Sequence, residues 1–203
     1  MSMTSRPAKS AKVVSIHEHA FDNLKFIRET MEKAGSFTAV PGWGGILMGI
    51  SALLAAFFAA RMPSRSLWFA AWIGEALLAF GIGLFAMVQK SKAVKSPLLD
   101  GPGRKFALSL LPPMLAGAVL TLCLYRYGLY GVMPGMWLIM YGVAVMTGGA
   151  FSVNVVPIMG LSFIVMGTAA LFSPTEWSNI YMGAGFGGLQ ILFGGIIARR
   201  YGG

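Results

Sequence analysis

Cysteine, histidine and charge are all scarce in this sequence. One of its 203 residues is cysteine, Cys123 in the apolar run LTLCLY, so neither a disulfide framework within the chain nor a clustered-thiolate metal site can be built. Both histidines, His17 and His19, precede the first long apolar run. A bis-histidine haem, a histidine metal site and a histidine proton relay are thereby excluded from the apolar part of the chain. In the triplet HEH the two rings would point about 200° apart on a helix, the wrong geometry for one ion. No GxxxxGK[ST] element is present, so the chain has no P-loop with which to energise transport. A serine nucleophile needs a base, and Glu75 is the single side chain deep in any apolar run able to serve. The expectation is a non-enzymatic protein with no metal and no cofactor.

What is abundant is apolar surface. Charged residues form 11% of the chain, against about 25% in soluble domains, while 56% is hydrophobic and 27 residues are glycine. This composition belongs in a lipid bilayer. The net charge of +9 comes from Lys and Arg that flank apolar runs instead of forming a groove-sized patch, and nucleic acid is not an expected partner. Residues 1–40 hold no short apolar segment followed by a small-residue cleavage site, so the first span is expected to direct insertion itself.

Six apolar runs reach the roughly 20 residues that cross a hydrocarbon core: approximately 43–62, 67–88, 106–127, 131–152, 155–173 and 179–198. They lack the period-2 alternation of barrel strands. Their short separators, RMPSRS, YGLYG, SVNVVP and SPTEWSN among them, predict an all-α membrane bundle over 43–200 arranged as three antiparallel hairpins. Placing the N-terminus in the cytoplasm puts thirteen Lys and Arg inside and three outside. The positive-inside rule then predicts that both termini and the 89–105 segment are cytoplasmic, with a bacterial inner membrane as the expected location. Trp43, Trp68, Trp137 and Trp177 fall near span ends, as headgroup-level aromatics do, and Trp72 lies deeper. The even-numbered spans, LWFAAWIGEALLAFGIG, MWLIMYGVAVMTGGAF and IYMGAGFGGLQILFGGI, align loosely. Duplication and shared membrane composition both account for that.

Within the second span one residue is out of keeping. Trp68, Trp72, Glu75, Ala79, Gly83 and Ala86 fall on one stripe, aromatic at one end and small at the other. Small residues mark the face that packs on other helices, so Glu75 is expected to face inward. Desolvation favours the neutral acid there unless a cation or water meets it. Asn154 and Gln190 complete the candidate intramembrane polar site. Three readings stand: a hydrogen-bonded structural acid, a proton or cation site of a small permease or channel, and a contact to another subunit. Pro112 and Pro113 predict a kink in the third span or, alternatively, mark its start. The glycines of the last span suit close packing, within the chain or in a homo-oligomer.

Ahead of the spans, residues 1–14 read as a disordered basic tail and 15–35 as an amphipathic helix. Ser15 and Glu18 form a capping box and Gly35 is placed to stop the helix. Ile16, Ala20, Leu24, Ile27, Met31 and Ala34 share one face. Glu18, Asp22, Lys25, Glu29 and Lys33 share the other and form a candidate docking face. Its acidic residues outnumber its basic ones over 16–34, unlike a lysine-rich lipid-binding helix. A cytoplasmic protein partner, or the basic 89–105 segment of the chain itself, is therefore expected to meet it; the alternative is a helix that only rests at the membrane interface as a stop before the first span. In outline, the paired spans with Gly, aromatic and Pro punctuation are similar to small six-span bacterial membrane proteins of the HdeD type; the resemblance covers the spans alone and implies no activity.

Overall fold

Among the described residues, six helices are long and apolar enough to cross a membrane. The computed structural model describes residues 23, 24, 27, 31, 36–94 and 101–202, in two units, Met1–Ser36 and Phe37–Gly203. Of the first unit, Asn23, Leu24, Ile27 and Met31 are helical and exposed. The predicted docking residues Glu18, Asp22, Lys25, Glu29 and Lys33, and the capping pair Ser15 and Glu18, lie outside the described residues.

The second unit contains α1 (Gly42–Ala59), α2 (Arg65–Ala93), α3 (Gly101–Arg126), α4 (Met133–Gly149) and α5 (Val155–Phe172). A composite last span follows. It comprises α6 (Ser178–Met182), a π-helical segment (Gly183–Leu189) and α7 (Gln190–Tyr201). Spans and sequence expectations agree closely except at one junction: α2 continues to Ala93 and α3 already begins at Gly101. Pro112 and Pro113 accordingly sit well inside α3, and the alternative that they merely start the span is set aside. The helix is continuous through both.

Two glycine-lined seams hold the bundle. On α4, Gly135, Gly142 and Gly149 recur every seven residues; Gly160 and Gly167 do so on α5. A Cβ added at Gly142 would lie 2.7 Å from the Gly160 carbonyl oxygen, and one at Gly167 would lie 2.8 Å from that of Gly135. Backbone meets backbone here because neither helix carries a side chain at the crossing. The second seam joins α1 to the last span. Gly45 lies against Gly194, Gly49 against Gly187 and Ile191, and Ala56 against Gly183. On α1, Gly42, Gly45, Gly49, Ala52, Ala56 and Ala59 are all buried, a stripe of small residues in steps of three and four.

The π-helical segment GAGFGGL serves two neighbours: Gly187 approaches Leu53 of α1, and Gly185 approaches Leu138 of α4. Four glycines in this segment contribute little side-chain preference for the α form.

Opposite ends of the bundle differ in chemistry. At one end, Trp68 and Trp72 of α2 both donate their indole N–H to Asn179 Oδ1, at 2.7 and 3.3 Å. Trp137 of α4 stacks on Trp68 at 5.8 Å between centroids and donates to Thr121 Oγ1 of α3 at 2.8 Å. Trp68 and Trp137 thus fasten helices together, beyond the headgroup anchoring expected of them; Trp43 and Trp177 are exposed. The other end carries Lys90, Lys92, Arg104, Lys105, Arg199 and Arg200 and is termed the basic end below.

Candidate functional site

Glu75 is buried, as its stripe predicts, and faces α1. Along the same stripe Gly83 meets Met48 and Ala86 meets Gly44, so this face of α2 is the one that packs on α1. The Ser51 hydroxyl is 2.7 Å from Glu75 Oε1 and 2.9 Å from the Met48 carbonyl oxygen. A hydroxyl has one proton for these two acceptors. Both contacts are full hydrogen bonds when Glu75 is a neutral acid that donates to Ser51, while Ser51 donates to Met48.

The other members of the predicted polar site are elsewhere. Gln190, the first residue of α7, accepts from the Tyr141 hydroxyl at 3.2 Å through Oε1. Tyr141 itself sits against the rings of Phe163 and Phe186. Asn154 is exposed immediately before α5. Glu75, Gln190 and Asn154 therefore occupy three separate positions, and each of the first two has its own fastening partner. Among the described residues, no buried side-chain nitrogen or oxygen lacks a hydrogen-bond partner.

This arrangement leads to a first prediction. Glu75→Gln keeps a donor for Ser51 and should hold wild-type stability. Glu75→Leu should cost about 1 kcal/mol, since Ser51 retains Met48 and only one hydrogen bond is lost. Unfolding of the two variants by dodecyl sulphate titration in mixed micelles checks this; a Gln variant as weak as the Leu variant would show that the carboxyl group itself is required.

A second buried polar contact lies at the basic end and involves Lys90. Its side chain is buried, with Nζ donating to the Val40 carbonyl at 2.9 Å and also to the Gly202 carbonyl. Lys90 therefore joins the approach to α1, the end of α2 and the end of α7. The sequence places Lys90 in the basic 89–105 segment between spans; the structure builds it into α2 and buries it against two carbonyls. The signal was present, because one further helical step from Ala86 along the Glu75 stripe lands on Lys90.

Beside it, Phe37–Pro41 enters the bundle as an extended strap. Pro41 restricts Val40 to extended backbone and itself adopts φ −81° and ψ 114° ahead of α1. Phe37 and Ala39 have no exposed surface at all, both at 0%. The Phe37 N–H donates to the Phe151 carbonyl at 2.7 Å, and the Ser152 hydroxyl donates to the Phe37 carbonyl at 2.7 Å. The Phe37 ring packs 5.0 Å from that of Phe106 on α3. One aromatic side chain is thus held by α3 and by the α4–α5 turn, and the strap that carries it is held by α2 through Lys90. The candidate site is this strap and its socket. Sequence reasoning passed over Phe37 because it is a lone aromatic between two periodic segments.

Searches against protein-family models, curated proteins and solved structures find no match to this chain.

Proposed function

We propose that this chain is a non-enzymatic, multi-span membrane protein with an accessory or regulatory role, and that helix 15–35 engages a cytoplasmic protein partner. The observation that carries the reading is the strap. The residues directly following that helix are built into the bundle, with Phe37 and Ala39 fully enclosed. A force or displacement applied to the helix therefore has a route to α2, α3 and the α4–α5 turn. Leu24, Ile27 and Met31, at i, i+3 and i+7, are exposed and share a helical face suited to a partner's groove. The basic end faces the cytoplasm of a bacterial inner membrane in this proposal, in accord with its six Lys and Arg against Arg61, Arg65 and Arg126 at the other end. The alternative, a permease or channel using Glu75, is less well supported, because that carboxyl group is closed against Ser51.

Photocrosslinkers placed at Leu24, Ile27 and Met31 in living cells test this proposal. A discrete adduct with one protein is expected, and Ile27→Asp should abolish it while leaving bundle stability unchanged. Absence of any adduct, together with pH-driven flux in proteoliposomes that Glu75→Gln eliminates, would replace this reading by the permease.

A further inference from the structure

Although α5 and the last span are consecutive, each turns its small residues toward a different neighbour. Gly160 and Gly167 face α4, while Gly183, Gly187 and Gly194 face α1. The seam between α5 and α7 consequently has larger side chains and stays open. It forms a groove of about 410 Å³ lined by Val155, Ile158, Phe193, Ile196, Arg199 and Arg200.

The groove has two chemically distinct parts. Its walls are aliphatic and aromatic, and Ile158 on its rim belongs to an exposed apolar surface continued by Leu161, Val165 and Leu192. Both arginines are exposed at its basic end. Glu75 and Glu176 are the only carboxylate side chains among the described residues; Glu75 lies in the α1–α2 seam, and Glu176 precedes α6 at the far end. Val155 also begins α5, an 18-residue helix, whose positive dipole end adds to the arginines.

We infer that this groove binds an anionic phospholipid, with an acyl chain along Val155, Ile158, Phe193 and Ile196 and the headgroup phosphate at Arg199 and Arg200. The occupant has to be apolar along its length and anionic at one end. A soluble anion meets only the second requirement. Guanidinium groups pair with phosphate oxygens in a planar, two-point geometry, and basic pockets between spans at the membrane surface are suited to anionic headgroups.

The test uses the full chain, purified in mild detergent and delipidated, with phosphatidylglycerol as probe. Phosphatidylcholine and inorganic phosphate serve as controls, and retained lipid is read by native mass spectrometry. Wild type should retain phosphatidylglycerol in preference to phosphatidylcholine. Arg199→Gln combined with Arg200→Gln should weaken its binding about 25-fold, from the roughly fivefold that each basic residue contributes near an anionic surface. Ile158→Trp, a change at an exposed position, should displace the lipid by filling the groove, whereas Arg61→Gln with Arg65→Gln at the other end should have no effect. Equal retention of the two lipids, an unchanged preference in the Arg199 and Arg200 variant, undiminished binding in Ile158→Trp, or displacement of phosphatidylglycerol by inorganic phosphate would each overturn the assignment.

Discussion

Replacing Gly142 by alanine should destabilise the bundle by about 3 kcal/mol, whereas the same replacement at Gly81 should be neutral or stabilise it by up to about 1 kcal/mol. The two positions are both helical glycines and differ only in what surrounds them. At Gly142 the new methyl would lie 2.7 Å from the Gly160 carbonyl oxygen and 2.8 Å from the Ile164 backbone nitrogen. Backbone atoms cannot swing aside as a side-chain tip does, so α4 and α5 must separate. That separation disturbs the whole seam, including the approach of Gly135 to Gly167. At Gly81 nothing lies within 4 Å, and alanine gains its helical preference without a clash. Dodecyl sulphate titration of both variants measures the difference. Equal midpoints for Gly142→Ala and wild type would show that α4 and α5 tolerate a wider separation and that the glycine seam does not fix their spacing.

The spans were legible because a hydrocarbon core imposes length and composition on any segment that crosses it. The inward face of α2 was legible too, since Trp72, Glu75, Gly83 and Ala86 repeat at helical spacing and a carboxyl group is excluded from the lipid side. Partners were not. Ser51 is one of several polar side chains spread over the six spans, and nothing in periodicity selects among helices that the chain connects in different orders. Gln190 pairs with Tyr141 and not with Glu75 for the same reason. The π-helical turn at Gly183–Leu189 was hidden because glycine-rich segments leave the period itself undecided. The burial of Lys90 was hidden because the apolar run ends at Val88, two residues before it. The helix continues to Ala93, and a lysine buried by carbonyls from two distant segments looks, in sequence, like an ordinary flanking cation.

The strap carries the second large expected effect. Phe37→Ala removes a fully buried aromatic ring, a change that costs about 3–5 kcal/mol where the surroundings cannot close over the gap. Two backbone-directed hydrogen bonds, to Phe151 and from Ser152, remain available to the variant and contribute only about 1 kcal/mol each. Packing is therefore the larger effect, and its loss should release the strap before the bundle itself unfolds. Lys90→Met should release it less, because removing the ammonium group also removes the cost of burying a charge. Proteolysis between Phe37 and Pro41 reports the open population when opening and closing are fast relative to cleavage. A loss of about 3 kcal/mol should then accelerate cleavage on the order of 100-fold, while Phe37→Leu, which keeps most of the buried volume, should remain close to wild type. If Phe37→Ala is cleaved no faster than wild type, the ring does not hold the strap, and the backbone bonds of residue 37 to Phe151 and Ser152, with the Lys90 contact to Val40, are what keep it in place.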